Sequence, residues 1–204
     1  MKVAVLFEES GVVRRAFAKR GHEAWSVDLL PSRDDSSRHL KMDVTDWFEL
    51  QRKTGTRWDL IIIHPPCTAL SVSGNRHYCK GTSKYSERLK SIDQTWLWFN
   101  NAKAIADRVC LENPVGVLGG SPQYIQPHWF GEDASKKTGL WLHNLPDLKP
   151  TLHVVGKCRN GKYVWGNQTS SGQNKLGPSA DRARLRSTTY KGIAEAIADQ
   201  WGSL

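Results

Sequence analysis

The feature that most constrains this fold is a short apolar run that stops at two prolines. Leu60 to Ile63 are consecutive apolar residues, most of them β-branched, and Pro65 and Pro66 follow after a single histidine. A run of this length, bounded by turn residues, is typical of a central strand covered on both faces, as in parallel sheets. Prolines cannot extend a strand ladder and fix their own backbone angle. The run therefore predicts a buried strand that leads into a rigid turn.

Cys67 comes directly after this turn, at the carboxyl end of the predicted strand. Open α/β sheets bind their ligands at that edge. A lone cysteine is more often a small buried apolar residue, but a cysteine that merely packs needs no proline-locked turn followed by Thr68 and Ser71. We therefore predict that Cys67 is a reactive thiol, whereas Cys110, inside an apolar strand pattern, is ordinary core.

Strand and helix patterns alternate along the chain. They predict strands at 2–7, 23–28, 60–63 and 108–112, and helices at 12–20, 47–50, 86–107 and 191–201. In the first helix Arg14 and Arg15 point away from the apolar face, and Gly21 suits its end. Thr45 or Asp46 is the expected cap of the second helix. The apolar face predicted for the long helix consists of Leu89, Ile92, Trp96, Phe99 and Ala106. The apolar face predicted for the last helix consists of Ile193, Ala194, Ile197, Ala198 and Trp201.

Two regions carry weaker patterns. Residues 71–85 are basic and glycine-containing with little apolar content, which predicts a mobile loop. Beyond residue 116, glycines and prolines separate short apolar pieces, so short strands, for example at 140–142 and 153–155, and loops are expected.

The net charge favours a polyanionic partner. The chain has 29 Lys and Arg against 20 Asp and Glu, for a formal net charge of +9, and clustered positive charge attracts and binds phosphates. Residues 157–191 contain eight basic residues and one acid, with Tyr163 and Trp165 interleaved. A solvated basic surface is the simpler alternative, but interleaved aromatic residues favour a segment that contacts nucleic acid.

Neither a membrane nor a metal is expected as a partner. No apolar run approaches the roughly 20 residues that span a bilayer, and the chain starts in a strand pattern rather than a signal peptide, so we expect a cytoplasmic protein. The four cysteines form no CxxC pair, which argues against a disulfide framework or a zinc site. His77 and Cys79 are possible metal ligands, but two isolated ligands do not make a site.

Acids stand at several predicted strand ends. Asp28 ends the second strand, Asp43 follows a polar connection, and Glu112 ends the strand before Asn113. In nucleoside-binding βαβ units, an acid about 20 residues after the first glycine turn accepts hydrogen bonds from ribose hydroxyls. Asp28 lies 17 positions after Gly11. The first turn has one glycine where a full fingerprint has three, so it indicates such a site only weakly.

The order of these motifs resembles the DNA cytosine-5 methyltransferases. The resemblance covers about the first 116 residues, from Phe7 and its loop through the acids and the Pro-Cys turn to Glu112-Asn113, with a fainter echo at 190–198. Small phage-type relatives carry His-Pro-Pro-Cys-Thr, Glu-Asn-Pro and Lys-Lys-Thr-x-Leu-Trp-Leu, which stand here at 64–68, 112–114 and 136–142. The resemblance implies an α/β, Rossmann-like S-adenosylmethionine-dependent methyltransferase fold with a mostly parallel, doubly wound sheet and a short irregular C-terminal region.

The length of the chain predicts one domain over residues 1–204, and the resemblance suggests how it is divided. Residues 1–116 would form the cofactor-binding and catalytic core, 117–190 an irregular basic region, and 191–201 a closing helix. The cofactor would be S-adenosylmethionine, and the partner DNA, duplex or single-stranded, in the host cytoplasm if the gene is a phage gene. No oligomeric state is implied.

The resemblance also assigns roles to residues. Cys67 would add to carbon 6 of cytosine as nucleophile, and Glu112 would act as general acid at the ring nitrogen. Arg184, or its neighbours Arg182 and Arg186, would hold the cytosine oxygen, although all three could instead contact phosphate. Asn113 would orient the neighbouring loop. The cofactor would contact Phe7, Glu8, Gly11, Asp28, Asp43 and Pro65, with Phe7 against adenine, Asp28 on ribose and Asp43 on the adenine amino group.

Two alternatives stay open because only 70 positions separate Glu112 from Arg182, which leaves no room for the family's large target-recognition domain. One is the same chemistry on free cytosine nucleotides, which need not be flipped out of a duplex. The other is a non-catalytic nucleic-acid-binding protein of this fold.

Overall fold

The computed structural model describes residues 1–159, 161–179 and 181–204. Its strands are β1 (Lys2–Leu6), β2 (Glu23–Asp28), β3 (His39–Lys41), β4 (Trp58–Ile63), β5 (Ala106–Pro114), β6 (Gln123–Ile125), β7 (Thr138–His143), β8 (Lys157–Arg159) and β9 (Lys162–Val164). Its helices are α1 (Val12–Ala18), α2 (Val44–Thr54), α3 (Asn75–Tyr78), α4 (Tyr85–Ile105), α5 (Arg182–Ser187) and α6 (Lys191–Trp201), with 3₁₀ turns at Val72–Gly74 and Pro127–Trp129.

A 7-stranded sheet with the order β3-β2-β1-β4-β5-β7-β6 forms the centre of the fold. The first five strands in this order are parallel, and β7 runs antiparallel between β5 and β6. The chain winds outward from β1 toward β3 and then returns to place β4 on the other side of β1. This reversal opens a crevice at the carboxyl ends of β1 and β4, where such sheets bind ligands. The predicted fold class, a Rossmann-like α/β fold with a mostly parallel doubly wound sheet, is confirmed.

Helices cover both faces of the sheet, which explains why β4 is apolar along its length. Leu60 and Ile62 pack in the core beneath α1 and α6, whereas Ile61 and Ile63 pack in the core beneath α2 and α4. All of these side chains are fully buried. Because successive side chains of a strand point to opposite faces, only an unbroken apolar run fills both cores. Truncating such a residue to alanine would cost roughly 2–5 kcal/mol.

Helix α1 confirms the predicted apolar face but corrects the prediction for Arg14. Val13, Ala16 and Phe17 are buried as expected, yet Arg14 is only 4% exposed instead of pointing away. Its Nε donates to Ser26 Oγ (3.2 Å), and its Nη2 donates to the Asp34 carboxylate (2.6 Å). A buried guanidinium is tolerable only with such partners, and Asp34 lies too far along the chain for helical spacing to reveal the pairing.

The cap of α2 is Asp43 rather than Thr45 or Asp46. Its Oδ1 accepts a hydrogen bond from the backbone N–H of Thr45 (2.6 Å), as an N-cap carboxylate does. The predicted helix is confirmed and longer than expected, and it ends at Gly55 with φ of 66°. Asp43 thus has a structural role besides the one that the resemblance implies.

Two predictions for residues 71–107 need correction. The segment predicted as a loop contains a 3₁₀ turn and α3 before α4 begins. Helix α4 packs on the sheet, but on a face rotated from the predicted one: Leu89 is 46% exposed, whereas Arg88 and Thr95 are buried. Both polar side chains donate to backbone carbonyls, Arg88 to Ala69 (2.7 Å) and Thr95 to Ser91 (2.7 Å), so apolar spacing misplaces this face.

Residues 117–190 contribute more structure than the sequence suggests. Strands β6 and β7 extend the main sheet, and β8 pairs with β9 in a separate hairpin. The strand predicted at 140–142 is confirmed within β7, whereas that predicted at 153–155 is wrong, because those residues join no strand. Helix α6 and its buried apolar face are confirmed. Among the described residues no helix combines the length and apolar character needed to cross a membrane.

Candidate active site

Residues from separate strands meet at the carboxyl edge of the sheet. The segment Phe7 to Gly11 follows β1, Asp28 ends β2, and Asp43 follows β3, while His64 to Cys67 follow β4. Glu112 lies near the end of β5, and Lys136 precedes the antiparallel β7, so it reaches the same edge. The fold therefore brings the predicted site residues to one side of the molecule.

Cys67 is held by the turn that follows it. Its backbone carbonyl accepts hydrogen bonds from the N–H groups of Leu70 (3.1 Å) and Ser71 (2.9 Å). Burial raises the pKa of the Cys67 thiol, the charge of Lys136 acts to lower it, and the charge of Glu112 adds to the rise. Cys67 is half-buried, and its raised pKa keeps it a neutral thiol at neutral pH. It would need to lose its proton before acting as a nucleophile.

Glu112 forms a hydrogen-bonded pair with His64. His64 Nδ1 donates to Glu112 Oε2 at 3.0 Å. Burial acts to raise the pKa of Glu112, but the His64 hydrogen bond and the charge of Lys136 outweigh it, so the pKa is below its ordinary value. Glu112 is therefore a carboxylate at neutral pH rather than the protonated acid that a proton donor must be.

These two protonation states are linked. Protonation of Glu112 would remove the negative charge that raises the pKa of Cys67. Moving one proton from Cys67 to Glu112 would thus create a nucleophile and a general acid together, and would leave the total charge of the site unchanged. Lys136 lowers the pKa of both groups, so it favours the thiolate of Cys67 and also the ionised form of Glu112.

The three candidate arginines take different positions. Arg184 is half-exposed, and its Nε lies 3.6 Å from Glu9 Oε1. Arg182 donates to the carbonyl of Leu176. The carbonyl of Arg186 accepts from Lys136 Nζ (3.1 Å), and the Arg186 charge acts on the Cys67 thiol. The cytosine-contacting role predicted for Arg184, or for its neighbours Arg182 and Arg186, stays a prediction.

Glu8 is buried beneath the start of α1. Its carboxylate accepts hydrogen bonds from the N–H groups of Val13 (2.6 Å) and Arg14 (3.2 Å), so it fills the place that a capping side chain would take. Burial raises the pKa of Glu8, and the charge of His64 opposes that rise. The cofactor contact predicted for Glu8 stays a prediction, and the structure shows its carboxylate bonded to the start of the helix. Gly11 precedes the helix with φ of 64°, a conformation that favours glycine.

Phe7 stands at the mouth of the crevice in an uncommon backbone conformation. Its φ is 61°, which is rare for a bulky residue and typical of functional sites. Its ring lies 4.6 Å from that of Trp98, whose Nε1 donates to Thr45 Oγ1 (3.3 Å) beside Asp43. Phe7, Trp98 and Asp43 thus form an aromatic corner with one carboxylate at the entrance to α2.

Asp28 lies on the neighbouring strand end. Its Oδ1 accepts from the N–H of Leu30 (2.9 Å), and burial raises its pKa, with the charge of Glu9 adding to the rise. Leu29 and Leu30 are 62% and 53% exposed. An acid flanked by exposed apolar side chains is suited to a ligand with both hydroxyl groups and an apolar ring.

Pro65 and Asn113 are buried beside this crevice. Pro65 fixes the direction of the Cys67 turn. Asn113 is 1% exposed, and within the described part of the chain neither its Oδ1 nor its Nδ2 has a hydrogen-bond partner. A buried amide without partners is costly; the role predicted for Asn113, to orient the neighbouring loop, stays a prediction.

Sequence reasoning gave no role to Lys136 or His64. Lys136 stood only in the Lys-Lys-Thr motif, and its charge reaches Cys67 and Glu112 through the antiparallel β7, a pairing that spacing does not reveal. In the sequence, His64 stands between the apolar run and the prolines, at the predicted strand end. In residues 1–159, 161–179 and 181–204, no group of three or more His, Cys, Asp and Glu side chains could hold a metal ion.

Comparison with known proteins finds likeness only among solved structures. No family profile matches the chain, and no curated protein matches it. A protein described as a methyltransferase and crystallised with SAH is 22% identical over 55% of this chain and 31% of its own, with a TM-score of 0.35. A protein described as a SAM-dependent methyltransferase, from Streptococcus mutans, is 23% identical over 55% and 30%, with a TM-score of 0.34. A hypothetical protein from Thermus thermophilus is 15% identical over 68% and 73%, with a TM-score of 0.40.

The chain spans about a third of the length of the two proteins described as methyltransferases. The activity of this chain is therefore inferred from the geometry of its own site.

Proposed function

We propose that this protein transfers a methyl group from S-adenosylmethionine to carbon 5 of cytosine in DNA through a covalent adduct with Cys67. The observation that carries the proposal is the placement of a thiol and a carboxylate, Cys67 and Glu112, on neighbouring strand ends, where the charge of Glu112 acts on the pKa of the thiol. Addition to an electron-poor ring needs this pair, because a nucleophile and a proton donor must act on one base.

The cofactor fits the edge beside this pair. Asp28 and Asp43 offer carboxylate acceptors for the ribose hydroxyls and the adenine amino group, and Phe7 with the exposed Leu29 and Leu30 offers apolar contacts. Pro65 would close the crevice toward Cys67. When bound, S-adenosylmethionine supplies an electrophilic methyl group to the site.

The chain's own residues would carry the remaining steps. The proton of Cys67 passes to Glu112, the thiolate bonds to carbon 6, and Glu112 gives the proton to the ring nitrogen. Carbon 5 becomes nucleophilic and takes the methyl group. Loss of the carbon-5 proton to a base then expels the thiolate, while the ring nitrogen returns its proton to Glu112. Lys136 stabilises the thiolate at the start and the end.

DNA is supported as the substrate by the hairpin of β8 and β9. Arg159 and Lys162 are directly opposite in this hairpin and share a face with Lys157, and all three are exposed. Like charges opposite one another destabilise a hairpin, and within the described residues none of the three forms an ion pair with an acid. An anionic partner would relieve this repulsion, and a β-ribbon is narrow enough for a DNA groove.

The hairpin is tethered beside the catalytic edge. Asn167 follows it closely and exchanges two hydrogen bonds with the backbone of Ser135, at 2.9 Å and 3.0 Å. Ser135 immediately precedes Lys136, which acts on Cys67. DNA bound along the hairpin would therefore pass near the thiol, and no separate recognition domain would be needed to bring it there.

Transfer of labelled methyl groups tests the proposal. The protein is incubated with methyl-labelled S-adenosylmethionine and cytosine-containing single-stranded or duplex DNA, and the digested nucleosides are identified by mass spectrometry. We expect 5-methylcytosine from the wild type and none from Cys67→Ser, which should still bind S-adenosylhomocysteine. Methylation of an exocyclic nitrogen, or transfer that persists in Cys67→Ser, would contradict the proposed chemistry.

A further inference from the structure

The side chain of His64 is almost enclosed, and one of its nitrogens is uncommitted. The side chain is 9% exposed, and Nδ1 is occupied by Glu112 at 3.0 Å. Within the described residues, buried Nε2 has no hydrogen-bond partner. Because Glu112 is an acceptor at neutral pH, Nδ1 donates to it, and a neutral imidazole then has a bare lone pair on Nε2. A buried polar atom without a partner costs stability, which calls for a role.

A small cavity adjoins this imidazole. Its volume is about 20 Å³, and the polar residues that line it are His64, Glu112, Lys136, Thr138, Thr189 and Tyr190. A cavity of this size accommodates one water molecule. Ile193 and Ile197 of α6 line the other side.

We propose that His64 is a positioning residue that holds the Glu112 carboxyl group in one orientation and relays a proton to it from a water in this cavity. The role of Glu112 rests on the proposed function. In the relay, Nε2 accepts a proton from the water as the Nδ1 proton passes to Glu112. The imidazole stays neutral and changes tautomer, and Glu112 becomes the neutral acid. The water recovers a proton from solvent, and the Cys67 thiol releases one to solvent, so the site as a whole neither gains nor loses a proton.

Three charged or titratable groups surround the pair of His64 and Glu112. Glu8 lies below the end of β1, and Lys136 favours the ionised form of Glu112 that accepts the Nδ1 hydrogen bond. Tyr190 enters from α6, and its pKa is raised by burial, so it remains a neutral hydroxyl. The Thr138 hydroxyl also lowers the pKa of Glu112, but the hydrogen bond from His64 contributes more, so Nδ1 makes the main contact that holds the carboxylate.

Nuclear magnetic resonance of the side chains tests the positioning role without assuming any activity. The Glu112 carboxyl carbon is titrated in the wild type and in His64→Phe, His64→Asn and, as a matched control, His143→Phe at the far end of β7. Loss of the Nδ1 donor should raise the pKa of Glu112 in His64→Phe. His64→Asn, whose amide reaches the Nδ1 position, and His143→Phe should titrate like the wild type. An unchanged Glu112 titration in His64→Phe would overturn the positioning role.

Kinetics then tests the relay. His64→Asn keeps the donor to Glu112 but has no group at Nε2, so kcat for methyl transfer should fall roughly tenfold or more with KM little changed. Equal kcat in His64→Asn and wild type would overturn the relay. If His64→Phe does not fold, the ¹⁵N spectrum of the wild-type imidazole decides, because a proton on Nε2 rather than Nδ1 contradicts the proposal. If no substrate is methylated, the proposed function fails while the titration still judges His64.

Discussion

At the residue scale, a substitution of Asp28 tests cofactor binding without disturbing the fold. It ends β2 and is half-buried, and its carboxylate accepts a hydrogen bond from the local N–H of Leu30. Asp28→Ala should weaken binding of S-adenosylhomocysteine roughly 10–100-fold, the loss expected for a hydrogen bond to a charged group. Calorimetric titration measures this. Asp107→Ala, at the opposite edge of the sheet, is the control and should bind like the wild type; equal affinity in both variants would remove Asp28 from the site.

Asp34 supports a pH-dependent part of the fold. Burial acts to raise its pKa, but hydrogen bonds from Ser32, Arg15 and Arg14 outweigh this and hold the pKa below its ordinary value of 3.8. A depressed pKa contributes stability that is present above 3.8 and is lost as the pH falls through the lower folded value. Asp34→Asn should therefore lower the free energy of unfolding by about 1–2 kcal/mol at pH 7 and by less in acid. The figure is kept small because Asp34 contacts solvent, which weakens the ion pair.

Urea unfolding at pH 7 and near pH 3 measures this difference. Asp35→Asn changes the same charge at an exposed neighbour and should have little effect at either pH. A cost for Asp34→Asn that is the same at both values would show that the Arg14 pair does not produce it.

At the element scale, the start of α2 combines a cap with a candidate cofactor contact. Asp43→Ala should lower the free energy of unfolding by about 1 kcal/mol, because the Thr45 N–H loses its acceptor. Asp43→Ser keeps a cap but removes the carboxylate, so it should retain stability and bind S-adenosylhomocysteine more weakly. Denaturation and calorimetry on the two variants separate the roles. Wild-type affinity in Asp43→Ser would show that Asp43 caps the helix but does not contact the cofactor.

The β8–β9 hairpin carries the prediction about DNA. The double variant Arg159→Gln/Lys162→Gln should reduce the slope of log affinity against log salt by about 1.8 for duplex DNA, if each side chain neutralises one phosphate. Arg52→Gln/Lys53→Gln removes the same charge from the end of α2, at the other edge of the sheet, and should leave the slope nearly unchanged. Equal slopes in the two double variants would exclude the hairpin as a specific contact.

The elements that the sequence predicts well are those in which the spacing of apolar residues matches the spacing of buried positions. The two-sided apolar run of β4 and the one-sided face of α6 each have a single explanation, so pattern and structure agree. Strand β3, with the half-buried His39 and Leu40, is too short and polar to produce a signal. Helix α4 misleads because Arg88 and Thr95 are buried through hydrogen bonds to carbonyls, which apolar spacing does not register.

At the scale of the whole molecule, the location of the candidate site is easier to predict than its protonation states. The sequence predicts that Cys67, Asp28 and Glu112 lie together, because strand ends converge at one edge of a parallel sheet. The protonation states of Cys67 and Glu112 cannot, because they depend on burial and on Lys136, which arrives through an antiparallel strand. Glu8 likewise needs the structure, since its carboxylate serves α1.

The central claim is that Cys67 bonds to cytosine during methyl transfer, and trapping with 5-fluorocytosine tests it most directly. Turnover ends with loss of the carbon-5 proton, and fluorine cannot leave in that way, so the enzyme is caught as a covalent adduct. The base is offered in single-stranded DNA, in duplex DNA and as a free nucleotide, each with S-adenosylmethionine, and the denatured protein is digested and weighed by mass spectrometry.

The account predicts a mass increase on the Cys67 peptide with DNA, retained in Cys79→Ala and Cys158→Ala, whose thiols are exposed elsewhere, and absent in Cys67→Ala. Trapping with the free nucleotide alone would make the nucleotide the substrate. Trapping that persists in Cys67→Ala, or no trapping by a folded protein that binds the cofactor, would contradict the account.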